Sequence, residues 1–285
     1  MPLLSYERHA LDTKPTLVGE EKRKLELVPG AEPSTYIDPW WWLVVLVFVL
    51  AVILILTSHE YYSIFRFILT GVGITIELTV VSYVLMLIVG MFGALGRLSK
   101  NFIFHGISSL YVEIVRGIPL LVQLIMWYFV FPSLVQKLGN LTGIAYLSNW
   151  RVSAIPMAIM GLTFCYGAYM SEIFRAGIQS IPKGQMEASR SLGMTYIQAM
   201  RHIILPQAIR VVLPPVGNEF VSLLKDSSLV SALAVTDLTL RGRQYMSSHF
   251  DPIQTWIMVA LLYLIMTLFA SRVVSWLEKK TRFER

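Results

Sequence analysis

The sequence predicts an all-α integral membrane protein, a helical bundle of about six transmembrane helices. Three observations carry that class. Of 285 residues, 55% are hydrophobic and 15% charged, with a mean hydropathy of +0.61, where a soluble domain carries roughly 25% charged residues. The apolar residues come in long blocks, unlike the alternating segments of about ten residues in an outer-membrane barrel. Six of these blocks can cross roughly 30 Å of hydrocarbon at about 1.5 Å per residue.

In order, the blocks are 40–57, 68–95, 107–131, 152–174, 203–235 and 253–277. The fifth carries Pro206, Pro214, Pro215 and Gly217 ahead of Lys225 and Asp226. Each proline lacks a donor and clashes with the preceding turn, so a broken helix is expected here, its freed backbone groups facing protein or water. Residues 1–39, of mixed charge and without sustained period, read as a disordered cytoplasmic tail too long to precede a cleavable signal peptide. Residues 278–285 form a basic cytoplasmic C-terminus.

Six crossings put both termini on one side, and the basic residues decide which. Seventeen of the 24 Lys and Arg fall in the tail, around Arg97 and Lys100, in the stretch from Arg175 to Arg210, and from Arg272 onward. Arg66, Lys137, Arg151, Arg241 and Arg243 fall opposite. Both termini are therefore placed in the cytoplasm, and topology accounts for the net charge of +6 without a nucleic-acid partner. The one cysteine, Cys165, supports neither a disulfide framework nor a thiolate metal site, and no metal is expected.

The polar stretch 180–206 interrupts the apolar pattern. Ser180 and Pro182 supply a helix start, Gly193 a left-handed stop, and Thr195 with Gln198 a capping box opening a second short helix. Spacing thus predicts a hairpin and leaves its partner open, with a helix pair lying on the lipid surface as the plain alternative.

Charges inside crossings cost roughly 2.5–3.5 kcal/mol at a helix centre and face protein or water. Here they are Glu77, Glu113, Arg116, Glu172, Glu219, Lys225 and Asp226. On a continuous helix Glu113, Arg116 and Gln123 share one face. They form either a neutralised structural pair or a pocket wall suited to a zwitterion, the guanidinium taking a carboxylate and the carboxylate an ammonium. Lys225 and Asp226 either line the pathway or pair with each other, and Glu172 with Arg175 braces the hairpin.

Glu187-Ala188-Ser189, three residues, Gly193, nine residues, then Ile203-Ile204-Leu205-Pro206 resembles the EAA loop of permease subunits of bacterial ABC importers, with Ser189 where the pattern has alanine. "YVEIVRGIPLLVQL" from Tyr111, "SEIFRAGIQSIPKGQMEAS" from Ser171 and "KDSSLVS" from Lys225 are similar to the polar amino-acid uptake branch, the histidine, glutamine and arginine type.

The resemblance implies a five-helix permease domain over 68–277, with 40–57 an extra N-terminal transmembrane helix, in the bacterial cytoplasmic (inner) membrane. It implies coupling to ATPase through 180–206 at Glu187, Ala188, Ser189, Gly193 and Pro206. From the charges inside the crossings, a substrate pathway is expected at Glu113, Arg116, Gln123, Glu219, Lys225 and Asp226. The partners it implies are two ATPase subunits carrying ATP and Mg, a second permease copy or related permease, an extracytoplasmic substrate-binding protein, an amino acid and membrane lipid. Independently, no glycine is followed by lysine, so a phosphate-binding G-x-x-x-x-G-K-[ST] loop is absent and the chain is expected to be a transport subunit without catalytic residues or cofactors of its own. An ion-coupled secondary transporter is the alternative, since a broken helix with intramembrane carboxylates also suits proton or sodium coupling.

Overall fold

The computed structural model describes residues 40–281; the expected tail at 1–39 and the last residues of the basic C-terminus lie outside them. The described residues form twelve α-helices joined by π and 3-10 turns, with no strand among them. The first is α1, Trp40–Thr57. Next comes α2, His59–Leu98, whose 40 residues extend about 60 Å, well beyond the hydrocarbon thickness. Then follow α3 (Phe102–Gly117), α4 (Leu120–Ile125), a π turn at Met126–Val130, α5 (Phe131–Thr142), α6 (Ala145–Ser148) and α7 (Ala154–Gln179). The polar stretch holds α8 (Lys183–Ser191), α9 (Tyr196–Ala199) and a π turn at Met200–Ile204. The remainder is α10 (Leu205–Asp226), a 3-10 turn at Ser227–Leu233, α11 (Leu238–His249) and α12 (Pro252–Thr281).

Among the described residues four stretches are long and apolar enough to cross a membrane, His59–Leu98, Leu120–Thr142, Ala154–Gln179 and Pro252–Lys280, and Trp41–Thr57 is a shorter apolar helix. Two expectations need correction. The block 107–131 is not one helix, because Pro119 forces Ile118 into extended backbone (φ −108, ψ 132) and α3 stops at Gly117. The amide of Gln123 donates to the carbonyls of Val115 and Ile118, each at 2.8 Å, satisfying the groups that the break exposes.

The second correction concerns the fifth block. Helical geometry runs unbroken through Pro214 and Pro215, and the irregular turns lie at the ends, at Met200–Ile204 and Ser227–Leu233. Packing on both sides of the prolines outweighs the bonds they remove. A Cβ at Gly177 would stand 2.0 Å from Val212, and one at Gly217 would stand 2.3 Å from Val274, so α7 and α12 clamp α10 on either side of the proline pair.

The main core joins α2, α4, α7, α10 and the 3-10 turn through Leu78, Met86, Leu124, Leu162, Leu223 and Val230. Helices α2 and α7 approach closely at small residues: a Cβ at Gly90 would fall 2.6 Å from Met170, and one at Gly167 would fall 2.7 Å from Val89. In hydrocarbon, where burying apolar surface drives nothing, such close backbone approach supplies the association. A second cluster packs α11 and α12 on the start of α2 through Ile64, Ile68, Leu238, Tyr245 and Met258. The buried carboxylate of Asp237 caps α11, accepting from the backbone N–H of Thr239 (3.1 Å) and Leu240 (2.9 Å).

Candidate functional site

Residues 180–206 fold into two short helices around one turn. Gly193 has φ +83 with open space about its missing Cβ, so glycine is required there by conformation, not by crowding. The turn closes with Leu192 N–H donating to Ala188 (3.1 Å), Gly193 to Arg190 (3.0 Å) and Met194 to Ser189 (3.2 Å). The capping box is reciprocal: Thr195 Oγ1 accepts from Gln198 N–H at 3.3 Å, and Gln198 Oε1 accepts from Thr195 N–H at 2.8 Å. Ser180 does not start α8; its hydroxyl donates to Gly177 at the end of α7, and α8 begins after Pro182.

The hairpin has two faces. Ser189 and Ala199 are buried, and Ser189 Oγ donates to Gln185 at 2.6 Å. Glu187, Ala188 and Gly193 are exposed. So are Leu192 (84%), Tyr196 (59%) and Ile197 (75%), three apolar side chains that the sequence reading passed over although they stand out in a polar stretch. Pro206 is the second residue of α10, directly after the π turn Met200–Ile204. The exposed side of the hairpin thus carries apolar side chains together with a carboxylate, a composition found where a protein or a membrane is met.

Among the intramembrane charges, Glu113 and Arg116 lie exposed on α3, while Gln123 lies buried on α4 beyond the helix break, so the three do not share one helix. Glu113 and Arg116 form no ion pair with each other, nor do Lys225 and Asp226. A different row emerges. The Arg116 guanidinium stands 5.2 Å from the Tyr169 ring centroid, Tyr169 stands 6.2 Å from the Tyr166 ring, and Tyr166 donates its hydroxyl to Asp226 Oδ2 at 2.7 Å. Glu219, two turns before Asp226, shares its face of α10, and Lys225 is exposed beside it.

Arg116 of α3, Tyr169 and Tyr166 of α7 and Asp226 of α10 thus follow one another in a chain of contacts. Tyr166 and Tyr169 escaped the sequence reading because an aromatic at helical spacing reads as packing. Nearer the hairpin, Glu172 bridges Arg97 of α2 and Arg175 of its own helix, and Arg175 also donates to Gln179 Oε1 at 2.7 Å. Among the described residues no group of three or more His, Cys, Asp or Glu is placed to hold a metal ion.

The sequence model of the family described as "Binding-protein-dependent transport system inner membrane component" matches residues 86–283. The chain belongs to that family. This permease is 36% identical over 209 residues to the probable amino-acid permease protein YxeN of Bacillus subtilis, covering 73% of this chain and 88% of that one. It is 36% identical to the L-cystine transport system permease protein TcyB of the same organism (74% and 84% covered). To the glutamine transport system permease protein GlnP of Escherichia coli it is 30% identical (74% and 91% covered). Among solved structures, an amino acid ABC transporter crystallised with histidines superposes at TM-score 0.68 and 34% identity, covering 79% of this permease and 97% of that chain. The MetNI methionine transporter shares the fold at TM-score 0.62 and 21% identity, covering 79% and 100%.

Proposed function

We propose that this chain is the permease subunit of an ATP-driven importer, moving polar or charged amino acids handed over by a separate extracytoplasmic binding protein. The observation that carries the coupling half of this reading is the exposed hairpin, with Glu187, Leu192, Tyr196 and Ile197 grouped about the left-handed Gly193. A surface of this kind fits a cleft on an ATPase subunit, with one hairpin for each of two ATPases in a paired permease. The hairpin is continuous with α7 before it and with the π turn and α10 after it. ATPase closure therefore acts on the two helices whose far portions hold Tyr166, Glu219 and Asp226, and changes the opening of the row between them. Arg116 and the α10 carboxylates are the charged groups that the amino acid meets along this path.

The amino-acid permease relatives favour this reading over the ion-coupled alternative. Reconstituted with its ATPase and binding protein, the permease should accumulate amino acid only with ATP inside the hairpin's compartment, and uptake should survive an ionophore. Collapse with the ionophore and indifference to ATP would restore the ion-coupled reading. The charge bias puts both termini and the hairpin in the cytoplasm. Cysteine in place of Arg190 should then react with an impermeant maleimide only from that side.

A further inference from the structure

Of the three helices that carry the polar row, α7 and α10 are continuous with the hairpin, whereas α3, which carries Arg116, is not. A movement of the hairpin reaches α3 through side-chain contacts, and these lie at two levels. Near the row, Tyr111 of α3 donates its hydroxyl to the Phe164 carbonyl of α7 at 2.6 Å. At the start of α3, His105 Nδ1 donates to the Arg97 carbonyl at 2.9 Å, and a Cβ at Gly96 would fall 1.9 Å from Ser108. The start of α3 is therefore fixed to the end of α2, at a level about 9 Å along the helix from Tyr111.

The end of α2 is fixed in turn to the hairpin end of α7. Glu172 accepts from Arg97 of α2 with one carboxylate oxygen and from Arg175 with the other. Arg175 also donates at 2.7 Å to Gln179, the last residue of α7, shortly before α8 begins at Lys183. All three charged groups are partly buried. Among the described residues Arg97 and Arg175 pair with no other carboxylate, and the Nε of each is buried without an acceptor. One carboxylate thus holds together two guanidiniums that would otherwise repel.

We infer that Arg97 and Glu172 are positioning residues for transport, passing the movement of the hairpin to α3. The inference rests on the import reading and adds the route by which Arg116 follows α7. Held at both levels, α3 moves with α7 as one rod. Held at Tyr111 alone, it pivots there and the stroke is lost. Tyr111 still sets the level of the row at rest, so the tie serves the stroke and not substrate recognition. A brace confined to α7 needs Glu172 and Arg175 only; the tie to α2 needs Arg97 as well.

The test is the amount of amino acid taken up per ATP hydrolysed by the full permease, reconstituted with its ATPase and binding protein. Arg97→Ala leaves the Glu172–Arg175 pair in place and cuts the tie to α2. It should lower uptake per ATP about fivefold, with the KM for uptake within about twofold of the unmodified value. Glu172→Gln should lower the ratio at least as far. Arg97→Glu combined with Glu172→Arg, which again sets a carboxylate between two guanidiniums across the same contact, should recover about half of the loss or more. An unchanged ratio in assembled Arg97→Ala, or an effect confined to KM, overturns the inference and leaves a brace within α7. Where a single variant fails to assemble, the exchanged chain decides: retained coupling supports the tie, and lost coupling in an assembled chain overturns it. An unmodified chain that takes up no amino acid on ATP overturns the import reading itself, a result distinct from any change in these ratios.

Discussion

Between residues 180 and 206 the contacts that set the shape are local, reaching three to five residues along the chain at Gly193, Met194 and Gln198, whereas the Tyr166–Asp226 bond joins residues 60 apart. The hairpin is a backbone device: a Cβ at its central residue would meet nothing, and what matters there is a positive φ. The polar row is a side-chain device, brought together by the packing of α3, α7 and α10. The first should be broken by changes that strain the backbone and leave chemistry alone. The second should respond to single-atom changes in chemistry that leave the fold alone.

The largest effect is expected at Gly193. A β-branched residue in the left-handed region costs roughly 1–2 kcal/mol or more and redirects the chain into α9. Gly193→Val should leave the permease inserted yet reduce amino-acid uptake to background, together with the stimulation of ATP hydrolysis by loaded binding protein. Gly193→Asn, which tolerates a positive φ, should retain much of both. Uptake at the unmodified rate in Gly193→Val would mean that the hairpin does not couple.

An intermediate effect is expected in the row. Asp226→Asn should raise the KM for uptake by about tenfold, the scale of a charge-assisted hydrogen bond. Tyr166→Phe, which keeps the carboxylate and removes only the group that orients it, should raise KM about threefold with assembly unchanged. Loss of expression without a change in KM for both variants would assign the pair to structure.

The smallest effect is expected at the capping box. Thr195→Ala removes one acceptor and costs about 1 kcal/mol of local stability. Hydrogen exchange at the Gln198 amide should quicken while uptake falls no more than twofold or threefold. A loss as large as that of Gly193→Val would show that α9 contributes more to coupling than the turn that aims it.

Much of this architecture was legible because it depends on near neighbours. The blocks 40–57, 152–174 and 253–277 reappear within a few residues as α1, α7 and α12, since a long apolar run has few alternatives to a helix in hydrocarbon. The turn at Gly193 and the box at Thr195 and Gln198 are contained in their own windows. Less legible were the two proline sites, and they failed in opposite directions. At Pro119 an apolar run concealed a break that Gln123 makes tolerable; at Pro214 and Pro215 a break was expected where tight contacts at Gly177 and Gly217 hold the helix together.

What the sequence determined by itself is the all-α membrane class, the helix-turn-helix form of 180–206 and the residue types that carry charge into the bilayer, because each follows from composition or from bonds spanning a few residues. Only the tertiary structure decided which charges keep company. Glu113 and Gln123 parted across a helix break, Arg116 settled over Tyr169, and Asp226 took its partner from α7 instead of from the neighbouring Lys225. The reason is geometric: adjacent residues on a helix point about 100° apart, while a side chain 60 residues away can be delivered directly opposite once two helices pack.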